Sequence, residues 1–438
     1  MLWAMTQDTR VAVIGLGYVG LPLAIAFSEA GLDVEGIDAS AKRVAELNEC
    51  HSPIDDITDE RLAKALQGSL RAVTPDRANA RDADAIFVCV PTPITGTKDP
   101  DLGPVLSAAT IIKDHLRAGQ LVVLQSTTFP GTTTGPFREV LEETGLKAGT
   151  DFDLAFAPER VNPGDPASAS RGVPRLVGGM TPAATARATA LLRHINDKVV
   201  ELSSPDAAEM AKLLENTFRN VNIAFVNQLA LLCERMGLDV WEVIDAAATK
   251  PFGFMKFTPG PGVGGHCIPV DPYYLSWRAR EFDFSDRFIE TAGDINFGMP
   301  RHVVDLVAQA LNEKSKALRG ARVGVIGVAF KPDVQDDRNS PAAAVLAGIA
   351  ERGGDIRYHD PLVPVFKDEA GVVRESVGLD ALLEWSDVIV VVTGHKAVDW
   401  AHVYATADLV VDTVNSSRGH DVRADQVTRL GVGRPATV

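Results

Sequence analysis

The chain has 438 residues, more than one hydrophobic core usually organises, so two or three domains are expected. Apolar residues make up 46% of it and charged residues 23%, a balance typical of soluble globular proteins. The formal net charge of −15 disfavours a nucleic-acid partner, because a phosphate backbone calls for a basic surface. No apolar stretch is long enough for a membrane-spanning helix, so a membrane is not an expected partner either.

The four cysteines, Cys50, Cys89, Cys233 and Cys267, are widely scattered and include no CxxC pair. The N-terminal residues also lack the pattern of a signal peptide. We therefore expect reduced thiols, no metal site and a cytoplasmic location.

The N-terminal part alternates between strand and helix patterns. A strand at Val11–Ile14 runs into a glycine-rich turn and a helix at Leu21–Ala30, and a second strand, Asp33–Ile37, ends on Asp38. Further apolar strands are predicted at 85–90, 121–124 and 154–157. Such alternation predicts a parallel sheet covered on both faces by helices.

The middle of the chain has a helical pattern instead. Ser204 is a predicted N-cap, with proline at the first helical position, for a long helix that ends at Met236. A Gly- and Pro-rich loop is predicted at Lys250–Pro272, and a second helical stretch at Arg287–Leu318.

The last part of the chain again has strand patterns. Arg322–Gly327 repeats the pattern of Arg10–Gly15, and Ser386–Val392 repeats that of Ala83–Cys89. The predicted fold class is α/β, with two Rossmann-like doubly wound domains joined by a central all-helical segment. The predicted domains are 1–203, 204–318 and 319–438. Ala329 stands where the first domain has Gly17, so we expect the second domain to bind something other than a dinucleotide.

The first glycine turn has the pattern of a dinucleotide site. Gly15 permits the tight turn, Gly17 lets the backbone approach a pyrophosphate, and Gly20 allows the helix to pack closely on the strand. Asp38, at the end of the next strand, can accept both ribose hydroxyls, which favours NAD over NADP. The basic residues Lys42 and Arg43 lie close enough in sequence to leave that preference open.

The segment Gly262–Pro272 is the most unusual in the chain, because glycines precede Cys267 and prolines follow it. This composition suits a rigid loop that presents a thiol to a ligand. An isolated cysteine is more often a buried structural residue, and we interpret Cys50, Cys89 and Cys233 in that way. His266 and Asp271 are the candidate neighbours of the thiol.

These motifs together resemble the UDP-glucose/GDP-mannose dehydrogenase family over nearly the whole chain. The resemblance is carried by Gly15–Pro22, Val90–Pro93, Ser126–Thr132, Lys212 with Asn216, Gly264–Cys267, Ala329–Pro332 and Asp336–Pro341. It implies a four-electron oxidation with two NAD, in which a C6 alcohol becomes an aldehyde. The aldehyde adds to Cys267 as a thiohemiacetal, which is oxidised to a thioester and hydrolysed to the acid.

The resemblance also implies roles for individual residues. Lys212 and Asn216 would stabilise oxyanion character, Asp271 would assist proton movement or hold the water, Thr127 would position that water, and Glu159 would act in acid–base steps. The implied cofactor-binding residues are Gly15, Gly17, Tyr18, Val19, Gly20, Asp38, Arg43, Pro91, Thr92, Ser126 and Thr127. The implied substrate-binding residues are Arg160, Val161, Asn162, Lys212, Asn216, Phe257, Gly264, Lys331 and Arg338. For two of these residues there is an alternative to a catalytic role: Lys212 could lie on a solvated helix face, and Glu159 at a solvent-exposed strand end.

The implied substrate is a UDP-N-acetylhexosamine. Segment 160–165 resembles enzymes that act on UDP-N-acetylhexosamines, and Arg160 and Asn162 would meet the acetamido group. The segments 250–254 and 259–262 resemble the UDP-N-acetylglucosamine 6-dehydrogenases, whereas Val177–Pro182 resembles the enzymes acting on UDP-N-acetylmannosamine. UDP-N-acetylglucosamine is favoured, with UDP-N-acetylmannosamine, UDP-N-acetylgalactosamine or UDP-glucose as alternatives. Asn339 and Val414 depart from the usual glutamate and arginine of the family, which affects the expected contacts to the uridine diphosphate.

Two other functions remain open from the sequence. One is a two-electron hydroxyacid dehydrogenase that uses Lys212 and Asn216 and needs no thiol. The other is a catalytically silent protein that binds NAD and a nucleotide sugar. The apolar surface of the helix Ser204–Met236 further predicts a two-fold homodimer.

Overall fold

A computed structural model describes residues 9–54, 57–160, 172–423 and 425–433 of the chain. Its strands are β1 (Arg10–Ile14), β2 (Asp33–Ile37), β3 (Leu70–Val73), β4 (Ala85–Val88), β5 (Leu121–Leu124), β6 (Asp153–Phe156), β7 (Arg175–Gly179), β8 (Val199–Leu202), β9 (Arg322–Ile326), β10 (Asp355–His359), β11 (Val365–Lys367), β12 (Val373–Glu375), β13 (Val388–Val391), β14 (Val410–Asp412) and β15 (Val427–Arg429). Its helices are α1 (Gly20–Glu29), α2 (Ala41–Asn48), α3 (Asp59–Gln67), α4 (Gly103–Lys113), α5 (Arg138–Glu142), α6 (Pro182–Leu192), α7 (Pro205–Met236), α8 (Val240–Ala248), α9 (Asp271–Ala279), α10 (Arg287–Glu313), α11 (Pro341–Glu351), α12 (Leu379–Trp385) and α13 (Trp400–Thr406).

The chain falls into two compact units. One comprises the residues up to Glu215 together with Tyr273–Phe284, and the other comprises Asn216–Pro272 and the residues from Ser285 onward. The helical segment predicted between the two nucleotide folds is therefore shared by both units, and the division falls within α7 and within α9.

The first unit contains an eight-stranded sheet in the order β3-β2-β1-β4-β5-β6-β7-β8. Its first six strands are parallel and follow the order of a dinucleotide-binding Rossmann fold. The predicted parallel sheet is confirmed for these strands, but β7 runs antiparallel to β6, so the sheet is mixed at that edge. Apolar side chains pack on both faces of the sheet, as a parallel sheet requires.

The second unit contains a parallel five-stranded sheet in the order β10-β9-β13-β14-β15 and a small hairpin of β11 and β12. The sequence repeat is also a structural repeat. Val11 pairs with Ala85 in the first sheet, and Val323 pairs with Val388 in the second. The prediction of two Rossmann-like α/β folds is thus confirmed.

The long predicted helix is α7, and it begins as the sequence indicates. The Ser204 hydroxyl accepts a hydrogen bond from Ala207 N at 3.1 Å, with Pro205 as the first helical residue. The helix ends at Met236 and is followed by Gly237, whose φ of 73° is left-handed.

Other predicted boundaries in the helical segment were wrong. The loop predicted up to Pro272 ends earlier, because α9 begins at Asp271, directly after a turn closed on the carbonyl of Cys267. The helix α8 was not predicted, and α10 ends at Glu313 rather than Leu318. Within the described ranges, no helix is both long enough and apolar enough to cross a membrane.

Candidate active site

The first glycine turn follows β1, and sterics dictate its glycines. Gly15 has a φ of 92°, and a Cβ there would lie 2.7 Å from the carbonyl oxygen of Cys89. A Cβ on Gly20 would lie 1.8 Å from the Gly15 oxygen. Around Gly17 the backbone is open, because the nearest atom that its Cβ would meet among the described residues is Arg43 Nη1 at 3.7 Å. The turn therefore exposes backbone where a pyrophosphate would approach, ahead of the N-terminus of α1.

Asp38 lies beside this turn, as predicted for a ribose-binding carboxylate. One carboxylate oxygen accepts the Leu16 N–H and the other the Ser40 N–H, both at 2.8 Å. These bonds fix the carboxylate at the half-buried end of β2 and leave lone pairs for ribose hydroxyls. Arg43 donates to the Leu16 carbonyl at 3.4 Å, and Tyr18 is 39% exposed on the same turn. These residues fit the predicted dinucleotide, which would supply a hydride acceptor when bound.

The ends of β4 and β5 lie beside one another in the same sheet. The Ser126 hydroxyl donates to the Val90 carbonyl at 2.7 Å, so it fixes the residue just before Pro91 and the buried Thr92. Thr127, the next residue, is half-buried. The structure thus brings these four predicted residues to one edge of the sheet, where ligands bind in open α/β folds.

Glu209 on α7 was not predicted, yet it holds the loop that follows Thr127. Its buried carboxylate accepts the Gly131 N–H at 2.7 Å, the Thr133 N–H at 2.9 Å and the Thr133 hydroxyl at 2.7 Å. Burial raises the pKa of this carboxyl to about 7, against the hydrogen bonds from Thr133 and Gly131, which lower it. Its place one helical turn before Lys212 is the signal that could have identified it.

Glu159 follows β6 and lies in a compact polar cluster. Gln125 donates to its carboxylate at 3.1 Å and Arg175 forms an ion pair with it at 3.0 Å. The ammonium of Lys212, which is 7% exposed, donates to the Glu159 carbonyl at 2.6 Å. The structure therefore contradicts a solvated Lys212 and an exposed Glu159 and brings the two residues together. Gln125 could have been identified as a site residue from the sequence, because it directly follows a predicted strand. Nothing in the sequence indicates the contact made by Arg175.

Arg160 is half-buried and anchored next to this cluster. Its guanidinium forms an ion pair with Glu215 at 2.6 Å and donates to the Pro174 carbonyl at 2.6 Å. A guanidinium has five N–H donors, so capacity for a ligand remains. The predicted substrate residues Val161 and Asn162 lie outside the described residues.

In the second unit, the glycine-rich segment Gly262–Cys267, called the thiol loop below, packs directly on the loop that follows β9. A Cβ on either Gly264 or Gly265 would lie 2.8 Å from Phe330, so neither position accepts a side chain. Gly265 N–H donates to the Arg338 carbonyl at 3.0 Å, and Asn339 Nδ2 donates to the Gly265 carbonyl at 3.1 Å. These contacts hold the backbone two residues before Cys267.

Cys267 itself is half-buried and free of any disulfide. Its carbonyl accepts the N–H groups of Val270 and Asp271 at 3.0 and 2.8 Å, which places the thiol residue in the turn that leads into α9. A thiolate is stabilised near the N-terminus of a helix. Burial, together with the positive charge of Arg338, lowers the pKa of the neighbouring His266 and so favours its neutral imidazole.

Asn216 and Asp271 meet as a buried pair in this unit. The Asn216 amide donates to the Asp271 carboxylate, and Arg219 donates to the Asn216 oxygen. Asn216 is fully buried and Asp271 is 2% exposed. Lys212 and Asn216 are one helical turn apart on α7, as the spacing predicts. The arrangement contradicts a solvated helix face at this position too.

Of the remaining predicted substrate residues, Phe257 lines a cavity in the same unit. The cavity has a volume of about 450 Å³ and is lined by Ile223, Lys256, Phe257, Gly260 and Gly262, among others. Phe257 packs edge-on against Phe218, with ring centroids 5.8 Å apart. Lys331 and Arg338 belong to the loop that packs on Gly264 and Gly265, and Arg338 forms an ion pair with Asp336 at 2.6 Å.

Asp360 explains why the second nucleotide fold differs from the first. It ends β10 as Asp38 ends β2, but it is 4% exposed. The backbone N–H groups of Val328, Ala329, Leu362 and Val363, with the ring of His395, already hydrogen-bond to its carboxylate. No helix follows the β9 turn until Pro341 within the described part of the chain. A dinucleotide ribose therefore has no free carboxylate to bind, in agreement with the sequence expectation.

Asn339 and Val414, which depart from the usual residues of the resembled family, have different surroundings. Asn339 has a left-handed φ of 52°, which asparagine tolerates better than most residues, and its side chain supports the thiol loop. Val414 packs against an apolar cluster of the second sheet.

The first Rossmann fold has an open dinucleotide site, whereas in the second the carboxylate at the ribose position is occupied by hydrogen bonds from the protein. Together they define a dinucleotide-dependent α/β enzyme with a separate nucleotide-binding fold. Three models of one family match the chain in succession. The NAD binding domain of the UDP-glucose/GDP-mannose dehydrogenase family matches residues 9–196, its central domain residues 206–297, and its UDP binding domain residues 324–418.

Individual relatives agree with these matches. The chain is 37% identical to the UDP-N-acetyl-D-mannosamine dehydrogenase of Pyrococcus horikoshii over 90% of this chain and 92% of the relative. It is also 37% identical to the UDP-N-acetyl-D-glucosamine 6-dehydrogenase of Pseudomonas aeruginosa over 82% of this chain and 84% of the relative. The solved structure of UDP-D-ManNAc dehydrogenase from Pyrococcus horikoshii superposes with a TM-score of 0.88 and 34% identity, covering 98% of this chain and 100% of that one.

The chain belongs to the UDP-glucose/GDP-mannose dehydrogenase family. It is an NAD-dependent UDP-sugar dehydrogenase, and the fold class and the cofactor expected from the sequence are confirmed.

Replacement of Gly15 by alanine tests the dinucleotide turn. The added methyl would strain a left-handed backbone by about 1–2 kcal/mol and also collide with the Cys89 carbonyl. We expect at least about a tenfold loss of NAD affinity in a fluorescence titration. Gly31→Ala is the matched control, because Gly31 has a φ of 88° but a Cβ there would meet no described atom within 4 Å. Equal losses in both variants would contradict the steric role of Gly15.

Glu209→Gln tests the buried carboxyl. Because the folded pKa of about 7 lies above the ordinary value of 4.5, Glu209 contributes stability that is fully present below pH 4.5 and lost as the pH rises through 7. The relevant quantity is the free energy of unfolding of the wild type minus that of Glu209→Gln. This difference should fall by on the order of 3 kcal/mol from pH 5 to pH 7.5. Denaturant unfolding at several pH values measures this, and a difference that does not change with pH would refute it.

Proposed function

We propose that the protein oxidises the C6 alcohol of a UDP-N-acetylhexosamine to the carboxylate through a thioester on Cys267. The observation that carries the proposal is the Cys267 turn, in which a half-buried cysteine outside any disulfide precedes a helix N-terminus within a chain of this family. The unbroken loop contacts around Gly264 and Gly265 support it, because they fix the backbone that presents the thiol.

Each oxidation transfers a hydride to NAD, so the conversion of alcohol to acid consumes two NAD and one water. The first oxidation needs a group that receives the hydroxyl proton and one that stabilises the developing alkoxide. Lys212, held at the Glu159 carbonyl, offers a buried positive charge for the alkoxide. Arg175 and Gln125 orient the Glu159 carboxylate close to Lys212, and this carboxylate receives the proton of the substrate hydroxyl.

The second oxidation begins when the Cys267 sulfur adds to the aldehyde carbon and the resulting alkoxide takes up a proton. Hydride loss from this thiohemiacetal gives the thioester, and water then displaces the sulfur as thiolate. The Asn216–Asp271 pair provides an amide donor for the oxyanion and a carboxylate that accepts a proton from the attacking water. Thr127 would help to position that water. All four cysteines are free, which agrees with the reduced thiols of the proposed cytoplasmic location.

UDP-N-acetylglucosamine is the favoured substrate. The two relatives named above act by their names on different acetamido sugars at equal identity, so overall similarity does not separate the two sugars. The acetamido group carries a carbonyl oxygen that glucose lacks, and the N–H donors of Arg160 that Glu215 and Pro174 do not engage are suited to hydrogen-bond to it. UDP-N-acetylmannosamine is the second candidate, because the mannosamine enzyme aligns over more of the chain.

The stoichiometry of the reaction tests the mechanism. Two NADH per sugar are expected at completion with UDP-N-acetylglucosamine, and less product with UDP-glucose in the same panel of UDP-hexoses. Cys267→Ser should lower acid formation by at least about a thousandfold, because the sulfur nucleophile is lost. Cys50→Ser is the control, since Cys50 is also half-buried and free. One NADH per sugar, or near-normal turnover by Cys267→Ser, would instead indicate a two-electron dehydrogenase.

We also propose that the chain forms a homodimer through α7. Phe218, Phe225, Leu232 and Met236 recur at steps of seven, seven and four residues on this helix and are 44–61% exposed. On α10, Phe288 and Phe297 are 79% and 52% exposed. Apolar rows of this size on a helix are usually covered by another chain.

Sedimentation at micromolar concentration should give twice the mass of the chain. Phe225→Asp should shift the protein towards monomer, because a carboxylate would be buried without a partner in the interface. Val365→Asp is the matched control, because Val365 on β11 is 53% exposed and lies on another element. A wild-type monomer, or dimers of both variants, would count against an α7 interface.

A further inference from the structure

Three buried asparagine side chains run from the cavity to the Cys267 turn within the second unit. Asn227 and Asn220 lie on α7, and Asn296 lies on α10. Their exposed fractions are 0%, 4% and 4%. Burying an amide costs free energy unless its polar atoms are hydrogen-bonded, so the partners of each one are informative. Within the described residues only Asn220 Oδ1, of the three amide oxygens, has no such partner.

The first link contacts the cavity. Gly260, which lines it, donates its backbone N–H to Asn227 Oδ1 at 2.9 Å. The amide nitrogen of Asn227 then donates to Asn296 Oδ1 at 3.0 Å. Because Asn227 uses both ends of its planar amide, its orientation is fixed by the loop on one side and by Asn296 on the other.

The second link reaches the thiol. Asn296 Nδ2 donates to the main-chain carbonyl of Asn220 at 3.1 Å, and the side-chain Nδ2 of Asn220 donates to the main-chain carbonyl of Ile268 at 3.0 Å. Ile268 is the residue after Cys267. The backbone on one side of the thiol is thus held by Asn220, while Asn339 holds Gly265 on the other side.

We infer that Asn220, Asn296 and Asn227 are positioning residues, which set the Cys267 turn in a fixed place relative to the loop that lines the cavity. The inference rests on the proposed role of Cys267. In a buried network, the loss of one member leaves its neighbours without partners, so the effect of a change at Asn227 should extend to the turn. Asn227 hydrogen-bonds to Gly260 and Asn296 and, among the described contacts, not to the turn itself, which makes it the informative position.

The test is the rate at which iodoacetamide alkylates Cys267, followed by mass spectrometry of its peptide at pH 9. At this pH an ordinary thiol with a pKa of about 8.5 is mostly ionised, so the rate reports access to the sulfur. Asn220→Ala and Asn227→Ala should each accelerate alkylation at least fivefold and lower kcat for acid formation about tenfold, while the affinity for NAD stays within twofold. Asn222→Ala is the matched control, because Asn222 lies on the same helix and its amide donates to the Phe218 carbonyl of that helix.

The double variant Asn220→Ala/Asn227→Ala should react no faster than the stronger single variant, because both changes break one network. Asn227→Ser, a smaller polar change, replaces Asn227→Ala if the latter does not bind NAD. An alkylation rate in the folded Asn227 variant within twofold of the wild-type rate would overturn the inference. Alkylation does not depend on turnover, so this result is separate from the proposed mechanism, which Cys267→Ser tests.

Discussion

The contact between two glycines and Phe330 is the constraint on which the second half of the site depends. An added Cβ would collide with the Phe330 ring at Gly265 and with the Phe330 Cβ at Gly264. This approach brings the Cys267 turn, Lys331 and Arg338 into one neighbourhood of the second unit. Any larger residue would push the thiol loop away from the loop after β9, so Cys267 would lose its fixed position relative to Lys331 and Arg338.

Much of this arrangement could be predicted from the sequence, because it depends on local rules. The order of strand, glycine turn, helix and acid predicted the first Rossmann fold, and the repeat at Arg322–Gly327 predicted the second. The proline after Ser204 located the start of α7, and the spacing of Lys212 and Asn216 indicated that both lie on one side of it. In each of these cases residues within a few positions of one another determine the geometry.

What sequence analysis missed depends on contacts between distant parts of the chain. Arg175 reaches Glu159 from the next strand, and Glu209 meets a loop that lies 76 residues earlier. The chain of asparagines joins α7, α10 and two loops. Asparagine is common on exposed helix faces, so only burial shows that these residues have a different purpose. The antiparallel β7 was missed because strand direction is not encoded in the apolar pattern of a single strand.

Asp360 shows why the second nucleotide fold lacks the ribose-binding carboxylate of the first. In the first fold the equivalent carboxylate keeps lone pairs for a ligand, whereas in the second it is the anchor of five hydrogen bonds around the β9 turn. Glycine in place of Ala329 would not complete the glycine pattern, because Pro332 stands where the first fold has Gly20. It would also supply neither a free carboxylate nor a helix directly after the turn. A single substitution therefore cannot give the second fold the dinucleotide site of the first.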